Sequence, residues 1–317
     1  MSKLLKGLLV VGAVLITYPL AKITVNGVRA GNMTTQETNP NAKEKKLDEL
    51  PNPLEIATTK ASTVKTKLVL ESKNTVTLRG PVTGDSVGSI IKQISKLSRE
   101  LPKDAAIYLV LDTPGGSVMD GLYLIDFLEA IPQEVKTVTL FAASMGFQIV
   151  ENNPGERLVA RNGTFMSHRA AGGLSGQFDG EIESRYKMIK RKIDFLDMTA
   201  ADRLNMSLQD YKSAILNEMW VHGFDAVDKN VADKMVLIQC GDTMEGTESI
   251  IFKTFFGPVE VVFDKCPLIR EPISVNFARV REDAQAYVQS AFHSAISNKP
   301  VFVKEYINTN NFYKIFP

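Results

Sequence analysis

Three short stretches of the sequence carry side chains and backbone able to do acyl-transfer chemistry. In Phe141-Ala142-Ala143-Ser144-Met145-Gly146 a serine sits between small residues, after an apolar run and ahead of a helix start. A strand-to-helix junction of this kind exposes a hydroxyl and aims the amides that follow it at any oxyanion that forms. On its own the pattern serves equally well for a Ser144 that merely caps the helix. It is also not the G-x-S-x-G elbow, because Ala142 stands where the first glycine would be. In Asp112-Thr113-Pro114-Gly115-Gly116-Ser117-Val118, paired glycines between an apolar strand and a helix let a backbone approach a substrate unobstructed, and their N–H groups can stabilise a tetrahedral intermediate. Alone, this too reads as a tight turn with a helix cap. Met166-Ser167-His168-Arg169 puts a histidine at the end of what reads as an edge strand, before the glycine-bearing loop Ala170-Ala171-Gly172-Gly173-Leu174-Ser175-Gly176. A solitary histidine is more often structural than catalytic. The order of the three stretches changes that balance, toward a serine nucleophile served by a histidine base.

The elements that must position these residues alternate along the chain. Residues 67–71 and 75–78 read as short strands, and 85–100 as a helix with Val87, Ile90, Ile91, Ile94 and Leu97 on one face and Asp85 as its cap. Residues 106–111 (AIYLVL) form a continuous apolar run suited to a strand covered on both faces. A helix over 118–130, a strand over 136–141 and a helix from Met145 follow, then two short strands at 158–160 and 164–167 and helices near 179–204 and 207–217. This alternation predicts stacked βαβ units with a mostly parallel sheet. Beyond about 240 the character changes to a strand pair, 249–256 and 259–264, and a helix over 282–296.

Composition excludes other classes. With 44% apolar and 23% charged residues, the 317-residue chain can bury a sizeable core. Thirty-seven Lys and Arg nearly cancel 36 Asp and Glu, so no basic field draws in nucleic acid. His168, His222 and His293 are too scattered for a metal cage, and no motif calls for a cofactor. Cys240 and Cys266 are too far apart for a C-x-x-C site; they could pair in an exported domain or lie buried as thiols. The N-terminus opens with two lysines and the apolar run GLLVVGAVLI (residues 7–16), extended to residue 21. Residues 1–21 read as a signal peptide or signal anchor, with a membrane tether through 7–21, although the run is short of the roughly 20 residues that comfortably span a bilayer. The polar, proline-broken stretch 22–62 reads as a flexible linker.

Taken together, LRGPVTGDSV, IYLVLDTPGGSVMDGL, AASMG, SHRAAGGLSGQFDGEIE and WVHGFDAVDKNVAD, in that order from about residue 75 to 235, resemble the proteolytic subunit of Clp protease. The resemblance implies the α/β Clp/crotonase-like fold over residues 63–238, followed by an extension over 239–317. It also implies a serine endopeptidase acting on unfolded proteins or peptides, in which Ser144 attacks a carbonyl, His168 carries the proton, and the amides of Gly116 and Met145 form the oxyanion hole. Gly115, Ser117, Gly172 and Gly173 would then lie along a substrate bound as an added strand. For the third triad member, aligning the family's aromatic with Trp220 selects Glu218, while a register one residue shorter selects Asn217. Homo-oligomerisation is implied as well. An exported or membrane-anchored domain would lack the family's ATP-driven unfoldase, which favours peptides and unfolded segments as substrates. The alternative is a catalytically silent scaffold that kept the fold for assembly or peptide binding.

Overall fold

The computed structural model describes residues 66–290. The leader expected over 1–21, the linker over 22–62 and the last part of the final helix lie outside the described residues.

Strands β1 (Lys67–Leu70), β2 (Thr75–Arg79), β3 (Ile107–Thr113), β4 (Val135–Ala143), β5 (Arg157–Ser167) and β7 (Lys234–Cys240) form one sheet in the order β1-β7-β5-β4-β3-β2. Every pairing along that path is parallel, and β6 (Met219–His222) adds antiparallel to β5. The continuous apolar run of β3 has its expected cause. Leu109 and Leu111 face the main core beneath the helices, while Val110 joins Leu70, Val138 and Val236 on the opposite face. Helices α1 (Gly84–Glu100), α2 (Val118–Ala130), α3 (Met145–Asn152), α4 (Glu181–Arg203), α5 (Leu208–Ala214) and α6 (Gly223–Ala226) complete this unit.

Three expectations need correction. The cap of α1 is Thr83, whose side chain accepts from Ser86 N while Ser86 Oγ accepts from Thr83 N, a reciprocal capping box that leaves Asp85 in the first turn. The two short strands at 158–160 and 164–167 are one, β5. Nor is β5 an edge: its first half pairs with β7 and its second half with β6, so both sides are covered.

The extension builds its own antiparallel sheet from β8 (Thr247–Thr254), β9 (Gly257–Asp264) and β10 (Pro272–Asn276). Val259, Val261, Phe263, Val280 and Val288 form a separate small core there, and residues 285–290 are helical. Cys240, at the end of β7, is disulfide-bonded to Cys266 after β9.

Candidate active site

Ser144 occupies the junction between β4 and α3 with φ 55° and ψ −117°. A positive φ at a residue with a Cβ costs on the order of 1–3 kcal/mol and persists only where the surroundings enforce it. Here Ser144 N donates to Met166 O at 2.8 Å, and Ser144 O accepts from Gln148 N at 3.2 Å. The neighbours are small by necessity. A Cβ on Gly115, itself at φ +90°, would fall 2.7 Å from Ser144 Cβ and 2.6 Å from Met145 N. A Cβ on Gly146 would fall 2.5 Å from Thr113 Cγ2. The Ser144 side chain makes no capping hydrogen bond. Its Oγ lies instead 2.9 Å from Nε2 of His168.

His168 follows directly on β5, and its strand end is braced from below. Ser167 Oγ and Tyr211 Oη are 2.9 Å apart, and Gln148 Nε2 donates to the same Tyr211 oxygen at 3.0 Å. Burial pushes the Tyr211 phenol well above its ordinary range, beyond what the bonds to Ser167 and Gln148 offset, so it stays protonated. Neither Gln148 nor Tyr211 is marked in the sequence, because each looks like an ordinary helical residue until α3 and α5 are brought together.

The pairing of β5 with β6 sets Ser167 opposite Met219 and Met166 opposite Trp220. The pairing ends there, with Glu218 directly before Met219 and His168 directly after Ser167. Glu218 has φ 75°, between the short 3₁₀ turn Ile215–Asn217 and β6. Its carboxylate accepts from Trp220 Nε1 at 3.1 Å, and among the described residues the His168 ring bonds only to Ser144. His168, Arg169, Ala170 and Ala171 line a cleft of about 580 Å³ with Leu216, Asn217 and Glu218. Both candidate partners of the histidine therefore share its cleft, and neither is hydrogen-bonded to it.

Next to Gly115, Gly116 bridges Val82 through its neighbours: Val82 N donates to Gly115 O at 2.8 Å and Ser117 N to Val82 O at 2.9 Å. In a parallel bridge of this pattern the N–H of the middle residue, Gly116, takes no part. The Ser117 hydroxyl caps α2, accepting from Asp120 N at 3.2 Å. Gly172 and Gly173 lie in the exposed stretch 169–180, past the residues that line the cleft. Trp220 packs against Phe141, Ala143 and Met166, and exposed His222 stacks on Phe224. Among the described residues, no cluster of His, Cys, Asp and Glu could hold a metal ion.

A hydroxyl held against an imidazole nitrogen, on a parallel α/β sheet and beside a glycine turn, is the equipment of a serine hydrolase. The family model described as Clp protease matches residues 58–239. The ATP-dependent Clp protease proteolytic subunit of Streptococcus gordonii is 29% identical over 167 residues, covering 51% of this chain and 83% of the relative. Proteolytic subunit 1 of the ATP-dependent Clp protease of Synechococcus sp. (strain CC9902) is 32% identical over 157 residues, covering 49% and 79%. The chain belongs to the Clp protease family, and it is a serine peptidase.

Proposed function

We propose that the chain is an endopeptidase that cleaves unfolded polypeptides or peptides with Ser144 as nucleophile, His168 as general base and Glu218 as the orienting acid. The observation that carries this reading is the 2.9 Å contact of Ser144 Oγ with His168 Nε2 at a backbone forced to positive φ. Nε2 takes the hydroxyl proton as Oγ attacks the scissile carbonyl. The tetrahedral oxyanion is received by the amides of Gly116 and Met145. The C–N bond then breaks as the imidazolium gives its proton to the leaving amine, and water repeats the sequence on the acyl-enzyme. Glu218 is favoured over Asn217 because it directly precedes Met219, the partner of Ser167, and because its carboxylate can carry the charge that stabilises an imidazolium; a rotation of its side chain from Trp220 toward the ring completes the triad.

Assembly into a homo-oligomer and residence outside the cytosol belong to the same proposal. Phe178, Tyr186, Met188, Phe195 and Met198 are exposed on α4 and just before it, which favours burial against another copy. The disulfide favours an oxidising compartment, in line with the apolar run at 7–16. Without an ATP-driven partner, substrates would be peptides and unfolded segments.

An active-site-directed phosphonate tests the chemistry. It is expected to label the full chain at Ser144, and Ser144→Ala is expected to abolish both labelling and turnover of an unfolded protein substrate. Labelling that survives Ser144→Ala overturns the assignment.

A further inference from the structure

The module that carries the second sheet meets the main sheet at the ends of β2 and β3, directly before the glycine turn. Asp112, the next-to-last residue of β3, is 4% exposed. Its carboxylate is gripped from two sides by Arg270, which donates through Nε to Oδ2 at 2.9 Å and through Nη2 to Oδ1. Arg79 of β2, opposite Asp112 in register, reaches the same module. Its guanidinium lies 4.5 Å from the centre of the Phe263 ring, and its Nη2 donates to Ile269 O at 3.5 Å. Cys266, four residues before Arg270, is bonded to Cys240 of β7, which ties the segment leading to Arg270 to the main sheet.

Asp112 is where the β3–β4 ladder changes register. The shift falls between Leu111 and Asp112, and pairing resumes with Asp112 opposite Phe141 and Thr113 opposite Ala142, so the last two residues of β3 sit in an offset register just before the turn. From Asp112 the connection to the site is short. Thr113 Oγ1 accepts from Gly115 N at 3.1 Å, and Gly115 O and Ser117 N are held on Val82.

We propose that Arg270 is a positioning residue for the active site: by pinning Asp112 it sets the Thr113–Gly116 turn and, through it, the Gly116 amide. This rests on the reading of Gly116 as an oxyanion donor beside Ser144. The extension is then a clamp on the turn. A bidentate guanidinium suits that task, since it fixes a carboxylate in both distance and plane.

The test uses the full chain with Arg270→Ala, Arg270→Lys and, as comparator, Lys253→Ala. Lys253 ties β8 to Asp85 of α1 at 2.7 Å, a second contact of the module that does not involve Asp112. Three quantities are read: hydrogen exchange of the peptide spanning 112–117, the second-order rate of phosphonate labelling, and kcat against KM. Arg270→Ala is expected to speed exchange across 112–117 and to lower labelling rate and kcat about tenfold with KM within about twofold, the scale of a slightly misplaced catalytic group. Arg270→Lys is expected to lose about threefold, because it keeps the charge and loses the fork. Lys253→Ala is expected to match wild type in all three.

The proposal is overturned if Arg270→Ala lowers the melting temperature yet leaves exchange and kcat unchanged, or if Lys253→Ala produces the same losses. Should Arg270→Ala fail to fold, Arg270→Lys decides: wild-type exchange and labelling overturn the proposal, and a loss of both at an unchanged melting temperature supports it. Labelling that survives Ser144→Ala counts against the nucleophile alone, since exchange at 112–117 still reports whether Arg270 sets the turn.

Discussion

At the scale of single residues, the site is built on exclusion as much as on reactive groups. Gly115 leaves room for Ser144 and Met145, and Gly146 leaves room for Thr113. Gly115→Ala is expected to displace the Met145 amide and lower kcat about 100-fold, the scale of losing one oxyanion donor, while the protein still folds; steady-state turnover of a peptide substrate measures it. If Glu218 orients His168, Glu218→Gln lowers kcat far more than Asn217→Ala does, and the reverse order makes Asn217 the partner. Ser144 and His168 stand out as candidates in the sequence only through the order of three stretches that are each ambiguous alone, and Gly116 through the resemblance those stretches carry. The acid was not readable in the same way. Which of two adjacent residues faces the histidine depends on a 3₁₀ turn, a positive φ at Glu218 and the register of β6, none of which follows from residue type.

At the scale of elements, the alternation of strands and helices was readable because each is long and strongly periodic. The joins were not. Residues 161–163 (Arg-Asn-Gly) look like a turn, yet they lie inside β5, where Gly163 admits the carbonyls of Thr139 and Ala160 too closely for any side chain. β6 is only four residues long and pairs backward onto β5, a contact between distant segments that leaves no local trace. Two elements can be tested by unfolding. Tyr211→Phe removes the hydroxyl shared by Ser167 and Gln148 and is expected to cost about 1–3 kcal/mol in denaturant unfolding, leaving buried polar atoms without a partner. Reducing the disulfide, which spans 26 positions, is expected to cost about 3.5 kcal/mol on loop entropy, read as a lower denaturant midpoint with reductant.

At the scale of the whole molecule, a buried charge cluster couples stability to pH. Glu151 is fully buried, and burial raises its carboxyl from the ordinary 4.5 to about 8. Arg157, bonded to it, offsets only part of this because the same guanidinium also serves Asp233. A carboxyl with a raised folded pKa holds a proton that the unfolded chain has released. Its contribution therefore favours the fold at low pH and is lost as pH rises from about 4.5 to about 8. Glu151→Gln, which keeps the neutral form, is expected to flatten that part of the stability profile in chemical unfolding at a series of pH values. The disulfide has a different consequence for the life of the chain. The Cys240–Cys266 bond encloses β8, β9 and the hairpin tip at Phe255, which is 74% exposed. A protease that nicks this tip does not shed the extension. The two pieces travel as one body on a non-reducing gel and part only when the bond is reduced, so Arg270 remains tied to the catalytic domain after the backbone is broken.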